Sequence, residues 1–426
     1  MKLLGLITIT LFTHNVYAEI SFQDLWKQIQ SKSEYLKSQE AQIELSKLEK
    51  ERANRHWLPN VKMGASIFNT NDPGGVFFNN LGQGAITQKD FDVNTLNNPG
   101  TEQYTYGQIT VELPLYEGGM KAGASKMFDD MYKASKTEFS YHKSNEYTSS
   151  LNDYVTIARI KYTQSQLTEV KDQLKNLIDK YSLGSKKNPV GRSGLLGLKS
   201  VLKRIDVTQQ GLTADKEHRI EILSYKSQSN LSQIESIKDV KKYLKRHLNI
   251  DYSKDESSLL KANKLKVKAL GSTVNMEKAR YLPRVALFAT QNQYHGNRDD
   301  NSTQYIGVSL QWALFDPDNY GRKAEASQRV VAKQRALEEG ARKEAAYKNS
   351  LKKSLLRLEN ALTDVDKSAD YLAEQVTLSF GLYKRGSLNA LQLAEVLNRR
   401  IDLEVNKLNL EQKLIQASTQ QYLLYN

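Results

Sequence analysis

The sequence predicts a mixed α/β membrane protein, with long antiparallel coiled-coil helices and four β-strands per chain donated to a barrel shared between copies. Three observations predict it. Two short segments recur in the same order in both halves of the chain. The stretches beside them alternate apolar and polar residues with period two. The remaining sequence is nearly free of proline and carries an apolar seam at helical spacing.

The chain opens with Met1-Lys2, a mostly apolar run from Leu3 to Phe12, and Val16-Tyr17-Ala18, which together predict a cleavable signal peptide over 1–18. That run is well short of the ~20 residues a membrane-spanning helix needs, and no later stretch approaches that length. An exported chain without cysteine holds itself together without disulfides, and a lipoprotein signal, which needs a cysteine at its cleavage point, is excluded. If such a chain enters a membrane, it does so as β-structure. The formal charge of +13 comes from Lys and Arg scattered among Glu and Asp, which reads as solvated helix surface and argues against a nucleic-acid partner.

The repeat is legible at two places. His56-Trp57-Leu58-Pro59-Asn60-Val61 is matched by Arg280-Tyr281-Leu282-Pro283-Arg284-Val285. Val111-Glu112-Leu113-Pro114-Leu115-Tyr116-Glu117 is matched by Leu310-Gln311-Trp312-Ala313-Leu314-Phe315-Asp316. Between these signals Ile306, Val308, Leu310, Trp312 and Leu314 alternate with Tyr305, Gly307, Ser309, Gln311 and Ala313. In the first half Ile109, Val111 and Leu113 alternate with Gln108, Thr110 and Glu112. Alternation places one set on each face of a strand. Ile306, Val308, Leu310, Trp312, Ile109, Val111 and Leu113 are therefore the candidates for a lipid-facing surface. Leu58–Asn69 and Leu282–Tyr294 are expected as the preceding strands, each pair about 10–13 residues long, which suits a tilted spanning strand. Thr70–Thr101, rich in Asn, Gly and Asp, is expected as a long loop, and Gly296–Thr303 as a short one.

The rest reads as helix. Leu351, Leu355, Leu358, Leu362, Val365, Ala369, Leu372 and Val376 keep alternating 4-3 spacing, the mark of a coiled-coil seam. A single helix from Arg322 to Lys384 would reach about 95 Å. Leu393, Leu397, Ile401, Leu408 and Ile415 continue an apolar stripe beyond a bend at Lys384-Arg385-Gly386-Ser387. The first half repeats this, with a helix from about Lys121 to Tyr181, an apparent insertion over 185–193, and a helical stretch from Leu195 to about Leu248.

Four strands cannot close a barrel, and an open edge cannot sit in hydrocarbon. Three copies would supply twelve strands, inside the range known for outer-membrane barrels, and their helical pairs would close into a hollow cylinder.

This layout resembles the TolC-type outer-membrane factors over essentially the whole chain after the signal. The most specific local match is Tyr383-Lys384-Arg385-Gly386-Ser387-Leu388-Asn389-Ala390-Leu391-Gln392-Leu393, which is similar to the family's tip sequence. The resemblance implies a homotrimeric exit duct in the bacterial outer membrane, in contact with its lipid, with a periplasmic α-barrel and a trimeric 12-stranded β-barrel. It implies docking of the helix tips on a periplasmic adaptor (membrane fusion) protein and, through it, an inner-membrane transporter of an efflux pump or type I secretion system. On this layout the N-terminal helices cover 19–57 and the first strand pair with a long external loop 58–116. The first helical hairpin with equatorial helices covers 117–281, the second strand pair 282–315 and the second hairpin 316–426.

The resemblance also carries site candidates. Tyr383 matches the family's gate tyrosine, whereas Leu388 stands where its arginine partner is expected and Gly197 near where the aspartate would be. Gln392 and Glu395 align with two ring acids, and only Glu395 keeps the charge, so Tyr383, Gln392 and Glu395 are the constriction candidates. Gly184, Arg385, Gly386, Ser387 and Leu388 are the docking candidates. Read as residues alone, Glu395 is equally a solvated helix position and Tyr383 equally a packing residue. Trp57, Tyr281, Tyr116 and Phe315 sit at strand boundaries, where an interfacial aromatic girdle or ordinary packing would put them.

Other chemistry finds little support. Gly118-Gly119 with Gly123 lacks the ending of a phosphate loop and reads as a strand-to-helix turn. Gly191, Gly194 and Gly197 have dinucleotide-like spacing without the strand and acidic partner. The six histidines are dispersed, and no cofactor, metal site or catalytic constellation is expected. The competing class is a periplasmic coiled-coil scaffold or adaptor without a membrane barrel, against which the duplicated alternating strands argue.

Overall fold

The structure, a computed structural model, describes residues 19–182, 188–231 and 233–426. The expected signal peptide, Gly184 and residues 185–187 of the expected insertion lie outside the described residues. In chain order come α1 (Phe22–Lys32), α2 (Glu34–Asn54), β1 (Asn60–Thr70), α3 (Pro73–Gly82), α4 (Val93–Asn97) and β2 (Glu102–Glu117). Then follow α5 (Met120–Asp179), α6 (Pro189–Ser227), α7 (Val240–His247), α8 (Ser258–Ala279), β3 (Arg284–Gly296), β4 (Asp300–Gln311), α9 (Arg322–Lys384) and α10 (Ala390–Tyr425). No described helix is long and apolar enough to cross a membrane. The chain divides into two units.

One unit comprises the chain up to Ala41, Thr137–Lys261 and Glu339–Asn426. Its first apolar cluster joins Phe22, Leu25 and Ile29 of α1 to Leu151, Tyr154 and Ile157 of α5, Val240 and Leu244 of α7, Leu351 and Leu355 of α9, and Leu414 and Ile415 of α10. Each such side chain contributes about 1.5–3 kcal/mol by leaving water. The second cluster joins Leu167 and Leu174, Leu198 and Ile205, Val376 and Phe380, and Leu393, Leu397 and Ile401. The 4-3 seam read from the sequence is the buried stripe of α9, with Leu351, Leu355, Leu362, Ala369 and Val376 all buried. The expected helix to Leu248 is instead two: α6 stops at Ser227, where Gln228 turns left-handed at φ 47°, and α7 restarts at Val240 behind the Asp239 cap. No glycine or proline marks that stop, which is why periodicity ran through it.

The other unit comprises Gln42–Lys136 and Ala262–Glu338 and holds a single antiparallel sheet in the order β1-β2-β3-β4. The two sequence repeats thus lie side by side as two hairpins. A bulge between Pro114 and Tyr116 bends β2, as expected where proline cannot donate to the ladder. Gly118 and Gly119 take positive φ (65° and 87°) in the turn to α5, and a Cβ on Gly118 would lie 2.5 Å from the Ala279 carbonyl oxygen. Two boundaries differ from expectation. Gly296–Thr303 is mostly strand, because β4 begins at Asp300; β4 also ends at Gln311, so Trp312 lies one residue past the strand it was expected in.

Thr70–Thr101 is not a plain loop. It contains α3, a 3₁₀ turn over Gln88–Phe91, and α4. Asp72 caps α3 by accepting from the Gly75 N–H, and Pro73 occupies the first turn, where its missing N–H costs nothing.

Candidate functional site

The sheet has two chemically different faces, and its register shows how they arise. Residues paired across an antiparallel ladder share a face. One row runs Val61, Val111, Ala289, Ile306; the neighbouring rows hold Leu113, Leu287 and Val308, then Val285 and Leu310, and on the other side Met63 and Ile109. Most of these apolar side chains are exposed, Met63 at 79% and Ile306 at 75%, while Val111, Leu113, Val285 and Ala289 are half-buried. Every residue from Asn60 to Asn69 of β1 is exposed. Six of the seven lipid-facing candidates, Ile109, Val111, Leu113, Ile306, Val308 and Leu310, therefore fall on one continuous surface, and Trp312 stands just beyond it, also exposed. A contiguous apolar surface is costly to expose to water, and each unpaired edge presents free N–H and C=O groups.

The opposite face is polar and aromatic. Lys62, Thr110, Thr290 and Tyr305 form one row; Gly64, Gln108, Asn292 and Thr303 the next; Ser66, Tyr106, Tyr294 and Asn301 the third. The rows are tied by Tyr106 donating to Asn292 Oδ1 at 2.9 Å and by Thr110 and Thr290 hydroxyls 3.2 Å apart. At the end where β1 and β3 begin, Trp57, Tyr116, Tyr281, Trp312 and Phe315 are all exposed, and Trp312 Nε1 donates to the Tyr281 carbonyl at 3.2 Å. A girdle of aromatics at one end of an apolar band is the pattern of a membrane–water boundary.

At the other end, the connection between β1 and β2 folds onto the polar face. Tyr104, 1% exposed, reaches Asn80 Oδ1 (3.1 Å) and Glu102 Oε2 (2.7 Å). Arg298, in the β3–β4 turn, pairs with Asp90 at 2.7 Å and Glu102 at 3.5 Å. Sequence reading missed all of these. Asp72-Pro73 was the available signal for α3; nothing local connects Arg298 to Asp90.

The helical tip is the second candidate surface. Ser387 N–H donates to the Leu382 carbonyl and Gly386 N–H to the Tyr383 carbonyl, both at 3.0 Å, with Gly386 at φ 75°: a Schellman ending that stops α9. Arg385, Gly386 and Ser387 are exposed at this bend, while Leu388 packs partly into the second cluster. Asn389 and Gln392 cap α10 reciprocally, at 2.9 and 3.2 Å. Gln392 is thus engaged with its own backbone. Glu395 is exposed and paired with Arg399 one turn along. Tyr383 is half-buried against the second cluster, and burial followed by the neighbouring Tyr181 pushes its phenol up. Gly194 and Gly197 admit α10 closely: a Cβ at Gly194 would lie 2.8 Å from the Ala390 Cβ, so their spacing serves helix packing. Among the described residues no group of three or more His, Asp or Glu side chains is placed to hold a metal ion.

No protein-family model matches the chain, and no curated protein matches it. Solved structures do. CusC, whose structures show conformational changes accompanying folding and transmembrane channel formation, superposes with a TM-score of 0.77 at 9% identity, over 96% of this chain and 94% of that one. The outer membrane protein VceC of Vibrio cholerae superposes at 0.76 and 12% identity, over 94% of each chain. The Neisseria gonorrhoeae MtrE outer membrane channel in its open state also superposes at 0.76 and 12%, over 94% of this chain and 88% of that one. Helical hairpins and a four-stranded, open-edged sheet in this order make the fold of this chain that of a TolC-type outer-membrane factor protomer.

Proposed function

We propose that the chain is a passive exit duct of the bacterial outer membrane, assembled as a homotrimer whose sheets close a twelve-stranded barrel. The observation that carries this is the in-register apolar face of a sheet with two free edges, joined in one chain to long helical hairpins. The apolar face meets lipid, the polar face lines water, and β4 of one copy pairs with β1 of the next. The helix tip at Arg385–Leu388 docks on a periplasmic adaptor protein fed by an inner-membrane transporter, as in a tripartite efflux pump or a type I secretion system. Tyr383, Gln392 and Glu395 stand nearest the constriction at those tips. Transport energy comes from the transporter, so the duct itself needs no catalysis.

The test is fractionation followed by mass measurement. The protein is expected to stay in membranes through a high-salt wash, to leave only in detergent, and to weigh three copies. A salt-extractable monomer would favour the soluble periplasmic scaffold instead.

A further inference from the structure

The segment between β1 and β2 lies on the polar face of the sheet, not beyond its rim. Three contacts place it there, and a fourth ties it to the β3–β4 turn. Tyr104 of the polar face is covered by Val76 and Asn80 of α3, with its hydroxyl 3.4 Å from the Val76 carbonyl. Gly82 lies against the Tyr294 ring so closely that a Cβ would come within 2.7 Å of it. Asn301 Nδ2 donates to the Gly82 carbonyl at 3.0 Å. The Asp299 N–H donates to Gln83 Oε1 at 3.2 Å. Tyr104, Tyr294 and Asn301 all belong to the face opposite Val61, Val111 and Ile306.

The segment is also latched. Arg298 closes over it, pairing with the buried Asp90 and with Glu102, while Asp90 accepts from the Thr87 N–H at 2.7 Å and its hydroxyl at 2.8 Å. Its exposed surface carries an apolar patch among polar residues. Phe78 is 67% exposed, and Leu81, Phe91 and Val93 are exposed too, with Phe77 in edge-on contact with Phe78 and Phe91 at 5.6 and 5.7 Å.

In a barrel whose apolar face meets lipid, a segment on the polar face stands inside the wall, and side chains pointing away from the wall point toward the axis. Under cyclic symmetry the groups that meet at an axis are copies of one another. We propose that residues 73–98 form a lid over the outer mouth of the duct, one per copy, closed by Phe78 and Leu81 meeting their counterparts, with Arg298 as the latch. This rests on the channel reading above and adds to it a closure at the end of the sheet opposite the strand ends that follow α2 and α8 and precede α5 and α9. The occupant of the aromatic patch is a second copy of this chain.

The absence of cysteine makes the test clean. Phe78→Cys in the full-length protein, purified in detergent, is treated with a short bis-maleimide. Covalent dimers are expected at least tenfold above those from Met63→Cys, which lies on the apolar face. In a second measurement, Lys62→Cys, on the polar face below the lid, is labelled on whole cells with a bulky polyethylene glycol maleimide. The rate is expected to rise about tenfold when Arg298→Ala is added. Cross-linking at the Met63→Cys level in an intact trimer, or equal labelling with and without Arg298, overturns the lid while leaving the channel standing. A protein that weighs one copy before any cross-linker is added overturns the channel reading, and the lid with it.

Discussion

Arg159 and Glu411, from α5 and α10, meet as a fully enclosed ion pair with Nε 2.7 Å from Oε2. Arg159 Nη1 also donates to the Ile237 carbonyl at 2.9 Å, so one guanidinium holds the irregular stretch before α7 against both helices. Burial pushes the Glu411 carboxyl up, and Arg159 opposes it. Removing one partner leaves the other buried and unpaired, which costs about 3–5 kcal/mol. Arg159→Ala is expected to lower the denaturation midpoint strongly, and Arg159→Met with Glu411→Leu to recover most of it, read by helical circular dichroism. A single mutant as stable as the parent would remove the pair from the fold's essential contacts.

Gly307 faces Phe288 across the β3–β4 ladder, where a Cβ would sit 2.9 Å from the ring. Gly307→Val must displace that ring and is expected to cost about 1–3 kcal/mol. Thermal unfolding of the detergent-solubilised protein checks it, and Phe288→Ala in the same chain should restore part of the loss.

The repeat, the strand faces and the long seam were legible because each is a local period, and periods survive in a single sequence. The Leu58-Pro59 and Leu282-Pro283 signals stand just before Asn60 and Arg284, where β1 and β3 begin. Contacts set by the fold were not legible. Asp90 and Arg298 are joined only because the sheet brings the β1–β2 connection to the β3–β4 turn, and Arg159 and Glu411 only because α5 and α10 pack into one cluster. α3 was hidden for another reason: its Gly- and Asn-rich composition reads as loop, and its order comes from the Asp72 cap and the wall behind it.

The capping box at the tip gives Gln392 a definite structural task. Asn389→Ala removes the acceptor for the Gln392 N–H and is expected to cost about 1 kcal/mol in the first turn of α10. Amide exchange over residues 390–393 should accelerate roughly fivefold, since about 1 kcal/mol is about a factor of five. Gln392→Ala should do the same more weakly, and Gln392→Glu should leave it unchanged. Exchange unaffected by either alanine would show that the bend itself orders the turn.

Asp90 sets how the Arg298 latch answers to pH. Burial alone would push its carboxyl up, but the Thr87 N–H, Arg298 and the Thr87 hydroxyl outweigh that and hold it below its ordinary 3.8. A depressed carboxylate adds stability that is complete above the ordinary value and is lost only as pH falls through the depressed one. The charged groups beside it are Arg298, Glu102 and Lys89. A nitroxide on Phe78→Cys should therefore keep one immobile spectrum from about pH 5 to 8 and gain a mobile component only below about pH 4. With Arg298→Ala the mobile component should be present throughout. Mobility rising between pH 8 and 5 in the parent would mean that another group controls the segment.

Glu395 offers a carboxylate at the tip, but Arg399 shares its charge across one turn of helix. Exposed pairs of this kind are weak, about 0.3–0.5 kcal/mol, so the carboxylate remains free to attract a competing cation. If three copies ring a constriction, their Glu395 groups form a cation site whose strength the arginines reduce. Arg399→Gln is then expected to deepen block of single-channel current by multivalent cations several-fold, and Glu395→Gln to weaken it. The two substitutions move the charge of the ring in opposite directions while leaving the capping box at Asn389 and Gln392 intact. Opposite shifts in planar bilayers would place Glu395 at the narrowest point. Block that ignores both substitutions would make it an ordinary solvated helix residue.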